Sequence, residues 1–374
     1  MMPPRPRFDL SAGAEECEFH PETIATVIIE NLHRNSPAQA TGRPLCDEVF
    51  YIHCRRSITE LVWKIATTIL CAPLLSMDFE PPGPDLRRTA IGDLAGLPAP
   101  LQRAFVPDAP EFEAIPRPRP MNWLAVHKEP GQTFDQFKAS RPNQPTASRR
   151  TIYLQPLGEF AADRSPSIEK LREFAEAFFA MEVKALPTIS LDASKFSARR
   201  NPYSGNLQIL TGDVLDFLKT RVPADAFCLL AITMEDLYPE PSWNFVFGQA
   251  SLRERVGVYS FARYQSAFYG QAPASGSETL VLKRSCKVLA HETGHMFGLA
   301  HCTFFNCLMN GSNHLGESDR RPLHFCPVCL RKLQWSVGFD VLQRYHALER
   351  VSRADGFADE ADWFSRRVNR LRGE

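Results

Sequence analysis

The sequence has no excess of charge. Lys and Arg together number 43, Asp and Glu 43, and the formal net charge is zero. A general nucleic-acid or anionic-membrane binder needs a basic field, so neither partner is expected. The arginine pairs Arg149-Arg150, Arg199-Arg200 and Arg320-Arg321 are scattered and read as solvated surface. A bilayer-length apolar run is also missing. The most apolar early segment, 65–77, is bounded by Lys64 and Asp78 and broken by Pro73. It is too short to span a membrane and reads as a buried helix or an interfacial segment. The first ten residues are rich in proline and arginine without an apolar core, and Asp9, Glu15 and Glu16 argue against a transit peptide. The expected location is therefore intracellular, cytoplasmic or nuclear, and not secreted. There are no internal repeats.

What is present begins with an ordinary hydrophobic fraction, 44% of 374 residues, enough for a sizeable core in one large domain or two smaller ones. Ten cysteines occur, four of them between residues 302 and 329. In a reducing compartment such a cluster more often holds metal than forms disulfides. Cys17, Cys46, Cys54 and Cys71 have no ligand spacing and read as structural thiols, as do Cys228 and Cys286.

Four regions follow: an N-terminal extension of unknown structure (1–95), a proline-rich segment (96–148), a catalytic region (149–352) and a C-terminal tail (353–374). Prolines crowd the span 80–146, which suits an extended or poorly ordered linker; Trp123, Leu124, Phe134 and Phe137 within it could dock on a neighbouring domain. From Arg149 the texture changes. Residues 151–157 read as a strand. Ser165-Pro166 reads as a helix start with Ser165 as N-cap, and Ile168, Leu171, Phe174 and Phe178 as that helix's apolar face. A strand is expected within 182–191, a helix over 213–220, and strands at 225–233, 243–248 and 256–263. After a loop at 271–278, a helix should run from near Thr279 to about Phe297. Val341, Leu342, Tyr345 and Leu348 mark an amphipathic helix, and the charged residues from about Arg353 a loose terminal one. Alternating strands and helices predict an α/β fold.

The chemistry concentrates in residues 291–301, HETGHMFGLAH. His291 and His295, four apart, lie on one face of a helix and can reach one metal ion. Glu292 can take a proton from a metal-activated water. Gly298 permits the sharp turn that brings His301 back as a third nitrogen ligand. Three histidines with an open fourth position describe a catalytic zinc. The short form H-E-x-x-H alone occurs in many helices without metal; Gly298 and His301 at the right spacing set this stretch apart.

A second cluster follows at once: Cys302, Cys307, Cys326 and Cys329, spaced C-x4-C, eighteen residues, C-x2-C. Four thiolates form a closed tetrahedral site without an open position. A redox C-x-x-C or a disulfide pair are the other readings, and neither explains two cysteine pairs so close together. Two zinc ions per chain are therefore expected, one catalytic and one structural. His314 and His324 read as hydrogen-bonding residues, since both sites are full without them.

The joined string HETGHMFGLAHC, CLMNGSNHLGESDRRPL and CPVC, with the upstream run DAFCLLAITMEDLYPEPSWNFVFGQASL, resembles the archaemetzincins, metzincin-type zinc peptidases. The resemblance covers roughly residues 97–350, and the residues before about 95 match nothing in it. It implies a mixed twisted sheet with an edge strand over the cleft, an active-site helix, a second zinc site and a Met-turn at Met309, an apolar floor beneath the catalytic metal. It also implies zinc-dependent peptide hydrolysis with Glu292 as general base. Strand 256–261 is the candidate edge strand for an extended peptide substrate, with an interior strand as the other reading. A monomer is expected. The alternatives are a catalytically silent, zinc-stabilised peptide-binding module and a zinc hydrolase of non-peptide amides.

Overall fold

The protein is described from a computed structural model covering residues 28–30, 79–162, 164–192, 195–272 and 276–373. The segment 65–77 and Cys17, Cys46, Cys54 and Cys71 lie outside these residues. Strand β1 (Ile28–Glu30) is followed by four short helices, α1 (Pro84–Ile91), α2 (Ala99–Ala104), α3 (Trp123–Val126) and α4 (Phe134–Ala139). Then come β2 (Thr151–Leu157), α5 (Ile168–Phe179), β3 (Val183–Ala185), β4 (Ala198–Arg200), β5 (Leu207–Leu210) and α6 (Thr211–Lys219). Next are β6 (Ala226–Thr233), β7 (Asp236–Tyr238), β8 (Gly248–Ser251) and β9 (Val256–Ser260). The chain closes with α7 (Ser277–Met296), α8 (Leu315–Arg320), α9 (Pro327–Val337), α10 (Val341–Ala354) and α11 (Ala358–Arg372). Among the described residues no helix is long and apolar enough to cross a membrane.

The main sheet is mixed, in the order β1-β8-β9-β6-β2-β3. Strands β9, β6, β2 and β3 run parallel, and β8 is antiparallel to β9. Central β6 buries all eight residues, as a parallel strand covered on both faces must. Its alternate residues face opposite cores. Cys228, Leu230 and Ile232 join the larger one with Phe174, Phe178 and Leu289 of α5 and α7. Leu229 and Ala231 join the smaller one with Val214, Leu215 and Leu218 of α6. The expected α/β architecture is present, with α7 packed along the larger core.

Several expectations need correction. Strand β9 is not an edge: β8 and β6 flank it, so 256–261 cannot offer free backbone to a peptide. The stretch 243–247 forms no ladder beyond one bridge, Leu237 to Val246. Its aromatic rings pack sideways instead, Phe247 stacking on Tyr264 and the Arg263 guanidinium lying over Phe245. The strand starts at Gly248, where a Cβ would fall 2.7 Å from the Val258 carbonyl oxygen. The N-cap of α5 is Ser167, whose hydroxyl accepts from the Lys170 N–H, rather than Ser165. Arg321 is buried, not solvated.

The proline-rich span is not a loose linker. Pro84 opens α1 and Pro100 lies in the first turn of α2, where proline's missing N–H costs nothing. Thr133 and Gln136 form a reciprocal capping box on α4. Trp123, Phe134 and Phe137 are buried as expected, while Leu124 is only partly so. The terminal helix α11 is packed, burying Trp363, Phe364, Val368 and Leu371. Arg367 on it is fully buried, paired with Glu111 at 3.2 Å and donating to the Ala104 carbonyl.

Candidate metal centres

Phe297 fixes where α7 stops. It is fully buried and stacked between Phe179 and Phe227, at 5.5 and 4.2 Å between ring centroids. Gly298 follows at φ +81°, and a Cβ there would meet Pro142 at 2.8 Å. Backbone conformation and space therefore both demand glycine. The reversed chain carries His301 back to the last turn of α7. His291, His295 and His301 then bring one ring nitrogen each within 4.8 Å of the others.

The hydrogen bonds made by the rings fit this cluster to a metal ion. His291 Nδ1 lies 2.9 Å from the Leu308 carbonyl and His295 Nδ1 2.6 Å from the Leu299 carbonyl. His301 Nδ1 meets both Glu129 oxygens, at 2.9 and 3.2 Å. An oxygen acceptor at each Nδ1 requires the proton there, so the Nε2 lone pairs are free. Yet the Nε2 atoms of His291 and His295 stand 3.1 Å apart. Two lone pairs so close repel unless a cation lies between them. A tetrahedral zinc with bonds of about 2.0–2.1 Å sets its nitrogens roughly 3.3 Å apart, so the donor set fits. Burial lowers the pKa values of both helix histidines, His295 to about 3. Neutral imidazole is the ligating form.

Beneath the triad lies Met309, fully buried. A Cβ on Gly294, between the two helix histidines, would fall 2.7 Å from its sulfur, so this glycine allows the methionine floor to close on the helix. The Met309 carbonyl accepts from the Cys302 N–H at 2.8 Å, and the Asn310 amide donates to the Cys302 carbonyl at 2.7 Å. The turn bearing Met309 is thus tied to the residue after His301.

Cys302, Cys307, Cys326 and Cys329 converge as a second buried cluster. Cys302 Sγ lies 3.6 Å from Cys326 Sγ, against roughly 3.8 Å for a tetrahedral zinc with bonds of about 2.3 Å. Burial opposes ionisation of Cys302, but hydrogen bonds from Cys307, Cys326 and Cys329 prevail and hold its pKa well below the ordinary value. Buried Lys332 adds positive charge nearby and donates to the Gln132 carbonyl and side-chain oxygens. Gln132 in turn donates to the Gly298 carbonyl and accepts from the Ala300 N–H. One side chain therefore bridges the surroundings of the thiol cluster to the loop that delivers His301.

Glu292 is 2% exposed, and its Oε2 has no hydrogen-bond partner. Burial pushes its pKa up to about 8, against the pull of the Arg321 charge. Arg321 donates to the Asn310 carbonyl and the Ser318 hydroxyl. Its Nη1 also approaches His291 Nδ1 at 3.2 Å; with that nitrogen's proton on Leu308, this is a close approach of two donors. The cleft beside the triad is lined by Trp123, Tyr264, Glu292, His301, Ser312 and Arg321, among others. His314 caps α8, accepting from the Glu317 N–H, and His324 stacks on Trp363 at 3.6 Å. Neither joins a cluster, as expected.

Glu129, Trp123 and Gln132 lie outside every motif, and Arg321, though inside the string 307–323 that carries the family resemblance, reads as surface in the sequence. Trp123 meets the His301 ring edge-on at 5.0 Å and stacks on His127 at 3.8 Å. The sequence signal for this wall was the set of aromatic residues inside a proline-rich stretch; Glu129 had none, and for Arg321 the signal was its place in the string 307–323.

Peptidase family M54 matches residues 188–335. Archaemetzincin-2 of Macaca fascicularis is 44% identical over 277 residues, which are 67% of this chain and 77% of that protein. Archaemetzincin-1 of Mus musculus is 36% identical, covering 68% of this chain and 56% of that one. A crystal structure of archaemetzincin from Methanopyrus kandleri is 33% identical, covering 51% of this chain and 97% of that chain, with a TM-score of 0.39.

Proposed function

The chain belongs to the archaemetzincins, zinc metallopeptidases of peptidase family M54, and from that premise we propose that it hydrolyses peptide bonds at the His291–His295–His301 centre with Glu292 as the general base. The carrying observation is the 3.1 Å approach of two imidazole Nε2 atoms whose Nδ1 protons are committed elsewhere. His291, His295 and His301 would hold the catalytic zinc. Cys302, Cys307, Cys326 and Cys329 would hold a second, structural one. Bound at the triad, zinc supplies Lewis-acid chemistry, polarising a peptide carbonyl and making water more acidic.

The rest of the work belongs to side chains. Glu292 sits one residue along from a ligand on the same helix, buried, with one oxygen unpartnered. It takes the proton of the attacking water and later gives it to the leaving amine. Burial raises its pKa; a bound zinc would draw it back down, leaving the carboxylate ionised to act as base. Arg321 keeps positive charge on the same side and limits that rise. Leu308, Leu299 and Glu129 hold the three rings in orientation through their Nδ1 protons. Trp123 walls the third ring and limits water beside it.

The test is digestion of a peptide library by wild type and Glu292→Gln, read by mass spectrometry. New termini with wild type alone, at equal zinc content, are expected. Equal cleavage by both forms would refute the base assignment. Binding of library peptides without any cleavage would instead point to a silent binding module.

A further inference from the structure

Among the described residues outside the ligand sets, Arg321 is a buried cation with no carboxylate beside it. It is 9% exposed and lines the cleft beside the triad. Of the other buried arginines, Arg263 pairs with Asp236 at 2.7 Å and Arg367 with Glu111, while Arg331 and Arg344, also without a carboxylate among the described residues, lie over the Phe134 and Phe178 rings at 3.9 and 4.7 Å. Among the described residues no carboxylate lies within 4.0 Å of Arg321, and no aromatic ring covers it. Its bonds go to a carbonyl and a hydroxyl, and its Nε has no acceptor at all.

Four acidic groups favour its charge from farther away, Tyr264, Glu292, Glu317 and Cys307, of which Glu292 and Glu317 are carboxylates. Glu317 is already engaged by the backbone N–H groups of Trp123, at 2.9 Å, and Asn313, at 2.8 Å. Glu292 is the general base of the reading above. A buried cation without a close anion is costly, and a planar guanidinium matches a carboxylate in particular. Ser312, Ser318 and His314 line the same cleft with further polar groups. The cleft has about 40 Å³ of water-accessible space and opens to solvent, so a small polar group such as a carboxylate can enter it from outside.

We infer that this cleft takes a carboxylate of the peptide substrate on Arg321, so that the enzyme prefers acidic peptides. The inference rests on the peptidase reading above and names its substrate class. The carboxylate has two sources, an internal Asp or Glu side chain or the substrate's own C-terminus.

The experiment uses zinc-loaded full-length protein and quenched fluorescent peptides. Each peptide carries Glu or Gln at successive positions around the cleaved bond and is made both as free acid and as C-terminal amide. A preference on the order of tenfold to a hundredfold in kcat/KM for one carboxylate is expected, the range for a hydrogen bond to a charged group. Following Glu over Gln identifies a side chain; following free acid over amide identifies the C-terminus. Arg321→Met should bring the ratio to about one, and Arg321→Lys should keep part of it. A wild-type ratio near one, or a ratio unchanged in Arg321→Met, overturns the inference. If the methionine variant does not fold, the wild-type ratio and the lysine variant decide. Should wild type cleave nothing, the peptidase reading fails by itself. Calorimetric binding of the same peptides to zinc-loaded Glu292→Gln then decides: tighter binding of the acidic forms supports the carboxylate site, and equal binding refutes it.

Discussion

Replacing Glu129 by alanine removes the acceptor of the His301 Nδ1 proton and leaves every candidate ligand atom in place. The contact is two-pronged, 2.9 and 3.2 Å, between side chains only 16% and 26% exposed for His301 and Glu129. Burial alone would raise the Glu129 pKa, yet the hydrogen bond from His301 holds it below the usual carboxylate range. The carboxylate is therefore ionised throughout the neutral range and favours the tautomer with a free Nε2. Loss of such an outer partner typically costs about 10–100-fold in metal affinity, or roughly 1.4–2.7 kcal/mol. Trp123 still confines the ring from one side, which places the expected loss nearer ~10-fold. Glu129→Gln keeps an acceptor oxygen without the charge and should fall between. The assay is zinc competition against a chromophoric chelator, with the four-cysteine site as internal reference, since its affinity should not change. A triad affinity within about threefold of wild type would refute an orienting role, because it falls below the range seen for such partners.

Three further outcomes are expected. Glu292→Gln should lower kcat by about 10²–10⁴-fold, the usual share of general acid–base catalysis, with metal content unchanged by elemental analysis; a near-normal kcat would sink the assignment. Wild type should carry two zinc ions per chain, and Cys329→Ser should lose one and melt at lower temperature; one ion in wild type would refute the four-cysteine site. Burial lowers the Lys287 pKa from 10.5 to about 8, while its ammonium donates to the Asp319 carbonyl. Between those values the unfolded chain binds more protons, so stability rises with pH. Relative to Lys287→Met, wild type should gain up to roughly 3 kcal/mol from pH 8 to 10.5, at about 1.4 per unit; melting curves showing a flat difference would contradict this.

Both clusters of candidate ligands were legible because they are matters of short spacing: four residues on a helix, a glycine turn, two cysteine pairs. The strand at 226–233 was legible as a nearly continuous apolar run, and the one at 151–157 by its β-branched and aromatic start, Thr151-Ile152-Tyr153. Other features depended on contacts distant in sequence. The run 243–248 has strand composition, but its rings found Arg263 and Tyr264 as partners before any ladder formed. Strand order decides what is an edge, and nothing local says that β8 lies outside β9. Arg321 looked like surface beside Arg320, since pairs of charges usually are. The charged C-terminus hid the apolar side of α11, whose burial needs residues 99–112 as a counterpart.

The wall formed by Trp123, Glu129 and Gln132 has a consequence for dissecting the chain. A fragment beginning at residue 149 would contain all seven candidate ligands and the proposed general base, and would satisfy every motif search. It would also lack the acceptor for one ligand's proton, one face of the cleft, and the amide that pins residues 298–300. Such a fragment could bind metal and still be a poor or silent enzyme, so inactivity of a trimmed protein would say nothing about the intact one.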